Sequence, residues 1–308
     1  MSVIGIDTSN YTTSVAYFDG VSGVNCSRLL PVKPGELGLR QSDAVFAHTK
    51  SLPDLSGRLF SNAEVDKITA VGVSTRPRAV EGSYMPCFMV GYSHAKLLSD
   101  ALGVPLVEVS HQQGHVAASL WSAGHLELMD EPHLAWHLSG GTTELLLVEP
   151  EGKNVKCTQI GGTTDISAGQ LIDRTGVMLD LPFPAGKHVD ALSKEATMKE
   201  TFKVKCPGME FSLSGVQNKV QQFHQKNGVP AETAAFAMRC VASAVYQATQ
   251  NALKAYSGLK VVFSGGVASN SMLREVIAPL NPIFCEPQYS TDNAMGVAVL
   301  THRYTQEG

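Results

Sequence analysis

The sequence predicts an α/β protein with two related halves, each built on a mixed sheet flanked by helices. Residues 3–7 and 13–18 are apolar runs joined by a polar turn, which predicts an antiparallel pair of strands. Residues 134–148 repeat this unit of apolar strand, small polar turn and apolar strand. Residues 68–109 alternate apolar, helical and apolar patterns, which predicts parallel strands joined by a crossover helix.

The first half contains two further elements. Asp19-Gly20 supplies a reversal toward a third strand at residues 26–30. Residues 42–60 have helical spacing that is interrupted at Pro53, so we expect two helices or one helix kinked there.

The second half is mostly helical after a strand at residues 155–160. We expect Asp165 to cap the helix that follows this strand, because aspartate is a favoured N-cap residue. A short helix is expected at 187–198 and a long, alanine-rich helix at 230–256.

Composition limits the classes of function. At 308 residues with 44% hydrophobic content, the chain is long enough for two cores. The formal net charge of -4 argues against tight, unaided binding of nucleic acid. Six scattered cysteines without a C-x-x-C pair indicate free thiols in a reducing compartment. No leader pattern or apolar run of about 18 residues is present, so we expect a cytoplasmic protein with no membrane association.

The strongest chemical signal is the pair of histidines at 111 and 115. At a spacing of four, His111 and His115 lie on one helical face and can share a first-row metal ion. Two ligands do not make a metal site, and a polar cap beside an ordinary histidine is the alternative. A zinc protease would have glutamate after the first histidine, and this position is Gln112, which argues against a protease.

A glycine-rich turn joins the repeated strands of the second half. It contains glycines that allow close backbone approach and hydroxyls that can bond phosphate oxygens: Ser139, Gly140, Gly141, Thr142 and Thr143. A tight hairpin explains the two glycines alone, but less readily the whole run. We therefore favour phosphate binding.

A second glycine element ends the strand at residues 259–264. Gly265 and Gly266 end this strand, and a helix begins near Asn270, so a flat backbone surface is available to an adenine ring. A plain turn between strand and helix is the alternative. The element has neither the lysine of a P-loop nor G-x-G-x-x-G spacing.

Several charged residues are candidates for ligand contacts. Asp173 and Asp190 could bond paired ribose hydroxyls, or could lie on solvated helix faces. Asp292 is the candidate third metal ligand, with a simple N-cap as the alternative. Arg76 and Arg78 follow a strand and could contact an anion, although loop arginines are more often solvated.

Together these elements resemble the tRNA threonylcarbamoyladenosine synthase family, once described as an O-sialoglycoprotein endopeptidase. The family belongs to the superfamily of sugar kinases, heat-shock chaperone ATPases and actin. The motifs that carry the resemblance span nearly the whole chain: Gly5-Ile6-Asp7-Thr8-Ser9, His111 to His115, Ser139 to Thr143, Asp165 to Asp190, Phe211 to Gly215, Ser264 to Asn270 and Thr291 to Asn293.

The resemblance implies the two-lobed fold of this actin, chaperone and sugar-kinase superfamily (ASKHA). An N-terminal lobe would comprise residues 1–109, and a C-terminal lobe residues 110–308, with the nucleotide and metal site in the cleft between them. The C-terminal helix, about 292–306, would pack back on the N-terminal lobe.

The resemblance also implies an activity and its ligands. The family transfers the threonylcarbamoyl group from threonylcarbamoyl-AMP to the adenosine beside the anticodon of tRNA. Iron or zinc would be held by His111, His115 and Asp292, and helper proteins would supply the basic surface. The implied nucleotide contacts are Ser139 to Thr143 at the phosphate and carbamoyl region, Asp173, Gly186 and Asp190 at the ribose, and Gly265, Gly266 and Asn270 around the nucleotide.

The acceptor side departs from the family pattern more than the nucleotide side. Tyr11 and Thr12 stand where the family has an acidic pair, and Arg76-Pro77-Arg78 replaces a small glycine-rich loop. Two alternatives therefore stay open. One is a nucleotide-binding paralogue with a regulatory or scaffold role, and the other is a carbamoyl or phosphoryl transferase with an acceptor other than tRNA.

Overall fold

The computed structural model describes residues 1–9, 11–31, 39–61, 68–291 and 294–306. The chain divides into two compact units. The first unit comprises Met1–Glu131, Glu149–Cys157 and Asp292–Gly308, and the second comprises Pro132–Val148 and Thr158–Thr291.

The sheet of the first unit has the strand order β3-β2-β1-β4-β5. The central strand β1 pairs antiparallel with β2 and parallel with β4. Every residue of β1 is buried, as expected for a strand that is covered on both faces. The strand bounds are Ser2–Thr8 for β1, Thr12–Phe18 for β2, Gly23–Leu29 for β3, Ile68–Arg76 for β4 and Leu106–Ser110 for β5.

Four described helices accompany this sheet: α1 (Gln41–Phe60), α2 (Phe88–Leu102), α3 (His111–Ser122) and α9 (Met295–Thr305). Of the two alternatives expected at Pro53, the structure has one helix rather than two, and α1 contains this proline. Leu52, Leu55 and Leu59 bury one face of α1 in the core on both sides of Pro53. This burial offsets the backbone hydrogen bond that a proline removes from a helix.

The second unit repeats the pattern of the first, as the sequence predicts. Its sheet has the order β11-β10-β6-β7-β8-β9. β6 pairs antiparallel with β7 and parallel with β10, as β1 does with β2 and β4. The strand bounds are His133–Leu138 for β6, Thr143–Glu151 for β7, Asn154–Thr163 for β8, Glu210–Phe211 for β9, Val261–Ser264 for β10 and Ile283–Phe284 for β11.

The core of the second unit is centred on the long helix α7. Trp136 of β6 is fully buried and donates its indole N–H to Thr249 of α7 over 2.9 Å. None of the helices in the described part of the chain is long and apolar enough to cross a membrane. The helix bounds are Ala168–Met178 for α4, Gly186–Ser193 for α5, Ser214–Asn227 for α6, Pro230–Ala255 for α7 and Ser271–Ile277 for α8.

The first unit extends to Glu131 rather than to the expected boundary at residue 109, so it includes the histidine helix α3. Glycines allow α3 and α9 to lie unusually close. A Cβ on Gly296 of α9 would lie only 1.8 Å from the carbonyl oxygen of Gly114 in α3. A Cβ on Gly5 of β1 would lie 2.6 Å from the carbonyl oxygen of Ala294. Close packing therefore groups α3 and α9 with this sheet.

This close approach predicts the effect of adding one methyl group. Gly296→Ala should lower the free energy of unfolding by about 3 kcal/mol, because α3 and α9 must separate to accept the methyl group. Gly57→Ala in α1 is the matched control, since nothing lies within 4 Å of the added Cβ. The control should stabilise the chain by about 0.5 to 1 kcal/mol through helix propensity. Urea unfolding followed by circular dichroism measures both, and equal stabilities of the two variants would contradict the packing.

Candidate functional site

A buried carboxylate lies at the end of the central strand of the first unit. Asp7 is only 1% exposed. Its Oδ1 accepts a hydrogen bond from Ser74 Oγ over 2.9 Å, and its Oδ2 lies 2.6 Å from His111 Nδ1. Because a carboxylate accepts hydrogen bonds, Nδ1 of His111 is the donor. The Nε2 atom of a neutral His111 therefore keeps its lone pair.

The histidine helix has a fixed starting point. The Ser110 side chain accepts from the Gln113 amide, and the Gln113 side chain accepts from the Ser110 amide, so the two residues form a capping box. Gln113 Nε2 also donates to the carbonyl of Val155 over 2.8 Å. His111 is the first residue after this cap, so its backbone position is set by buried hydrogen bonds.

The structure brings the two predicted histidines together. Nε2 of His115 lies 2.9 Å from Nε2 of His111. Two imidazole nitrogens bound to one tetrahedral metal ion lie about 3.3 Å apart, because each metal–nitrogen bond is about 2.05 Å long. A movement of a few tenths of an ångström would therefore let both nitrogens bind one ion. The hydrogen bond that Nδ1 of His111 donates to Asp7 is of the kind that usually orients a metal-bound histidine.

The third predicted ligand, Asp292, lies outside the described residues. Among the residues that the structure describes, no third histidine, cysteine, aspartate or glutamate joins the pair to form a metal-binding group.

The cysteines are free as predicted, and burial raises the pKa of Cys87 to about 11 and that of Cys157 to about 12. These thiols therefore do not form reactive thiolates at neutral pH.

Asp7 belongs to the first of the motifs, from Gly5 to Ser9, but neither Asp7 nor Ser74 is among the predicted ligand-binding residues. The sequence carries a signal for Asp7, since an apolar strand that ends in aspartate places a carboxylate at the edge of a sheet. Nothing comparable identifies Ser74, because its role depends on the parallel pairing of β1 with β4.

The predicted phosphate-binding turn joins β6 to β7 in the second unit. Two of its hydroxyls serve the turn itself: Ser139 Oγ accepts from the Thr142 amide over 3.0 Å, and Thr143 Oγ1 accepts from the Ala168 amide over 2.8 Å. Gly140 and Gly141 are exposed, and nothing lies within 4 Å of a Cβ built on either residue. The glycines therefore leave space for a ligand to approach the backbone.

The expectation that Asp165 caps α4 is wrong. Ser167 is the N-cap, with Gln170 completing a capping box. Asp165 instead holds the start of α6. Its carboxylate accepts from the amides of Leu213 and Ser214 and from the hydroxyl groups of Ser212 and Ser214. Partial burial raises the pKa of Asp165, but these hydrogen bonds outweigh burial and hold it well below the ordinary value.

The two predicted ribose-binding aspartates have protein partners. Asp173 Oδ1 accepts from the Ala185 amide over 2.8 Å, and burial raises the pKa of this half-buried carboxyl. Asp190 Oδ1 accepts from the amide and hydroxyl of Ser271, and its Oδ2 pairs with Lys194. Burial raises the pKa of Asp190, but the Ser271 and Lys194 contacts outweigh it and lower the pKa overall.

The structure brings the two glycine elements of the second unit to one edge of its sheet. β6 and β10 are parallel neighbours, with Ser264 paired to His137. Gly265 has a φ of 90°, and a Cβ there would lie 2.1 Å from the carbonyl oxygen of Leu138, so this position requires glycine. Gly266 is exposed with open space around it.

The other predicted nucleotide contacts surround this edge through α5 and α8. A helix begins near Asn270, as predicted: Asn270 is the N-cap of α8, and its Oδ1 accepts from the Leu273 amide over 3.0 Å. The bond from Ser271 to Asp190 connects this helix start to α5, which begins at Gly186. The glycines and both aspartates therefore belong to one set of connected elements in the second unit.

Comparisons with known proteins agree with this architecture. HypF from T. kodakarensis has a TM-score of 0.64 at 13% identity, and the match covers 98% of this chain and 47% of HypF. A ROK hexokinase from Thermus thermophilus has a TM-score of 0.53 at 15% identity over 100% of both chains. These likenesses confirm the predicted fold class, that of the actin, chaperone and sugar-kinase superfamily (ASKHA).

The sequence comparisons are more specific. The protein named tRNA N6-adenosine threonylcarbamoyltransferase from Carboxydothermus hydrogenoformans is 33% identical over 323 residues, covering 98% of this chain and 92% of the relative. The family TsaD, described as tRNA N6-adenosine threonylcarbamoyltransferase, matches residues 37–299. The chain therefore belongs to the TsaD family of acyltransferases, as its motifs predict.

Proposed function

We propose that this protein transfers the threonylcarbamoyl group from threonylcarbamoyl-AMP to the adenosine adjacent to the anticodon of tRNA, with a metal ion bound by the histidine pair. Family membership supports the reaction type. The observation that carries the proposal is the arrangement of His111 and His115, whose Nε2 atoms lie 2.9 Å apart while Asp7 holds the opposite nitrogen of His111. This arrangement supports a shared metal ion, because the two Nε2 atoms are within a few tenths of an ångström of the separation such an ion needs and a carboxylate orients one of the rings.

The proposed metal is iron or zinc. His111 and His115 would hold it, with Asp292 as the third ligand. A bound metal ion would supply Lewis-acid stabilisation of the negative charge that develops on the donor as AMP leaves. Asp7 keeps the proton on Nδ1 of His111, which leaves Nε2 available as a ligand.

The proposed nucleotide site is the connected set of elements in the second unit. The Ser139 to Thr143 turn would contact the phosphate and carbamoyl region through its backbone. Asp173, Gly186 and Asp190 would contact the ribose, and Gly265, Gly266 and Asn270 would surround the adenine. The open space at Gly266 and at both glycines of the turn supports this assignment, because ligand approach to the backbone is unobstructed there.

The tRNA acceptor requires a cationic surface, and the net charge of -4 does not exclude a local one. Residues 194–226 contain six lysines and three glutamates. Lys203 and Lys205 are both exposed and flank the buried Val204, and Lys219 Nζ lies 5.7 Å from the ring centroid of Phe202. Exposed lysines beside an exposed aromatic ring are suited to a nucleic-acid backbone. Helper proteins of the modification complex would extend this surface.

A second candidate function is transfer to an acceptor other than tRNA, or a regulatory role for a nucleotide-binding paralogue. The departures on the acceptor side favour it. Tyr11, which is 40% exposed, and the buried Thr12 have no carboxylate, so neither supplies the charge of the acidic pair that the resemblance implies. No strong general base replaces that pair among the motifs, and under the first proposal positioning of the amine must suffice.

Removing the orienting carboxylate should weaken metal binding. Asp7→Asn should lower the affinity for zinc about 10- to 100-fold, because an asparagine no longer fixes the tautomer and basicity of His111. His111→Ala should lower it further. Asp43→Asn, an exposed aspartate in the first turn of α1, is the matched control. Metal content and competition with a chelating dye measure the affinity, and equal affinities in all four proteins would refute the metal site.

Transfer should depend on the same residues. The purified chain, supplied with helper proteins and threonylcarbamoyl-AMP, should form the modified adenosine in unmodified tRNA, as detected by mass spectrometry of the digested nucleosides. His111→Ala and Asp292→Ala should each reduce the rate about 100-fold or more. Nucleotide and metal binding without transfer would support the paralogue instead. Turnover of ATP or carbamoyl-adenylate without tRNA would support a small-molecule acceptor.

Neutralising the lysine surface should weaken tRNA binding in a salt-dependent way. The double variant Lys203→Gln/Lys205→Gln should lower affinity at low salt and reduce the slope of log K against log salt by about 1 to 2, about one unit for each phosphate that the protein no longer neutralises. Lys50→Gln/Lys254→Gln removes two exposed lysines elsewhere and is the control. Unchanged slopes in both variants would show that tRNA does not bind residues 194–226.

A further inference from the structure

The carboxyl end of β4 contains a β-bulge directly beside the histidine network. Ser74 pairs with Val109 of β5, but Arg76 pairs with Ser110, so Thr75 is an extra residue without an opposite partner. Bulges of this kind reorient side chains and are common beside active sites. Here the bulge separates Ser74, which donates to Asp7, from the arginine that follows.

Arg76 is held between two anchored residues. On one side, Ser74 Oγ donates to Asp7 over 2.9 Å. On the other, the carbonyl oxygen of Pro77 accepts from the amide of Gln112 over 3.0 Å. Because paired strands lie about 4.8 Å apart, the backbone of Arg76 is next to that of Ser110, the residue before His111.

Two polar groups at this bulge lack partners within the described chain. The buried Oγ1 atom of Thr75 has no hydrogen bond there. The guanidinium of Arg76 belongs to a half-buried residue and makes no hydrogen bond or ion pair with the described residues. Other arginines differ: Arg174 donates to Gln217, and Arg303 pairs with Asp130.

A half-buried guanidinium with no partner among the described residues, next in sequence to a threonine whose hydroxyl also has none there, indicates a site for an anion. Partial removal of a charge from water is unfavourable without a counter-charge. Asp7 is already bonded to Ser74 and His111, so it does not provide that charge. The planar fork of an arginine matches a carboxylate, which can accept two parallel hydrogen bonds.

We infer that Arg76 and Thr75 bind the carboxylate of the amino-acid part of the acyl donor. The inference rests on the proposed function and deepens it. It names the residues that would favour a donor with an amino-acid carboxylate over a donor with a plain carbamoyl group. The donor has two anionic groups. The proposed function assigns its phosphate to the second unit, and the carboxylate is the remaining one. Arg76 and the histidine pair belong to the same unit, so the carboxylate would be recognised in the unit that holds the metal.

The test compares two non-hydrolysable analogues of threonylcarbamoyl-AMP that differ in one group. One carries the threonine carboxylate, and the other carries a carboxamide in its place. Arg76→Gln should weaken binding of the carboxylate analogue about 10- to 100-fold, the usual loss for hydrogen bonds to a charged group. It should change binding of the carboxamide analogue less than about twofold. Arg76→Lys should restore part of the affinity, because it keeps the charge but not the fork.

Two further variants control the measurement, which is isothermal calorimetry on the full chain. Thr75→Val should reduce affinity for the carboxylate analogue without lowering the unfolding temperature, because it removes a buried hydroxyl that has no partner among the described residues. Arg78 is exposed in the same loop, and Arg78→Gln should not change the difference in affinity between the two analogues. An equal loss for both analogues in Arg76→Gln would assign the arginine to the phosphate or to the fold, and would overturn the inference.

The remaining outcomes separate the inference from the proposed function. Carboxylate-dependent binding that requires Arg76, without transfer to tRNA, would support the inference and refute the function. Transfer to tRNA with the same KM for the donor in Arg76→Gln and the wild type would support the function and refute the inference. Failure of the wild type to bind either analogue would refute both.

Discussion

The buried hydrogen bonds of Asp7 are the constraint on which the rest of the first unit's site depends. A carboxylate that is 1% exposed loses nearly all contact with water, so its stability depends on donors supplied by the protein. Ser74 and His111 supply them from β4 and from α3. One charge therefore connects two strands and a helix, and it also fixes which nitrogen of His111 is protonated. Folding imposes this arrangement on these residues, and the proposed metal site would need the same one.

Glycine packing sets the position of the histidine helix from its other side. Gly114 lies between His111 and His115, and its carbonyl is in close contact with Gly296 of α9. The capping box at Ser110 fixes the start of α3, and the packing against α9 fixes the helix against lateral movement. Two imidazoles held by a rigid backbone lose little conformational freedom when they bind a common ligand. The close approach also excludes larger residues at this crossing, since a Cβ on Gly296 would lie 1.8 Å from the carbonyl oxygen of Gly114.

Sequence patterns predict the elements whose residues are close together in the chain. They do not predict roles that depend on contacts between residues distant in sequence. The glycine turns, the histidine pair and the start of a helix near Asn270 follow from local residue order. Because aspartate is a favoured cap residue, the sequence predicts that Asp165 caps α4. In the structure the Asp165 carboxylate instead accepts hydrogen bonds from residues 212–214, which are distant in sequence. The Ser167 and Gln170 pair, three residues apart, is the better local signal. The unit boundary could not be predicted, because the packing of α3 against α9 joins distant parts of the chain.

The departures from the family pattern are concentrated in the first unit, which also holds the histidine pair. The residues that the resemblance assigns to the nucleotide lie in the second unit, where Asp190 and Ser271 connect α5 to the start of α8. By contrast, Arg76 and Arg78 carry positive charge where the resemblance implies small residues, and the neutral Tyr11 and Thr12 stand where it implies an acidic pair. Both changes shift the local charge in the same direction. They therefore make the site more favourable for an anionic donor or acceptor, which is the property that binding of a second anionic group beside the histidines would require.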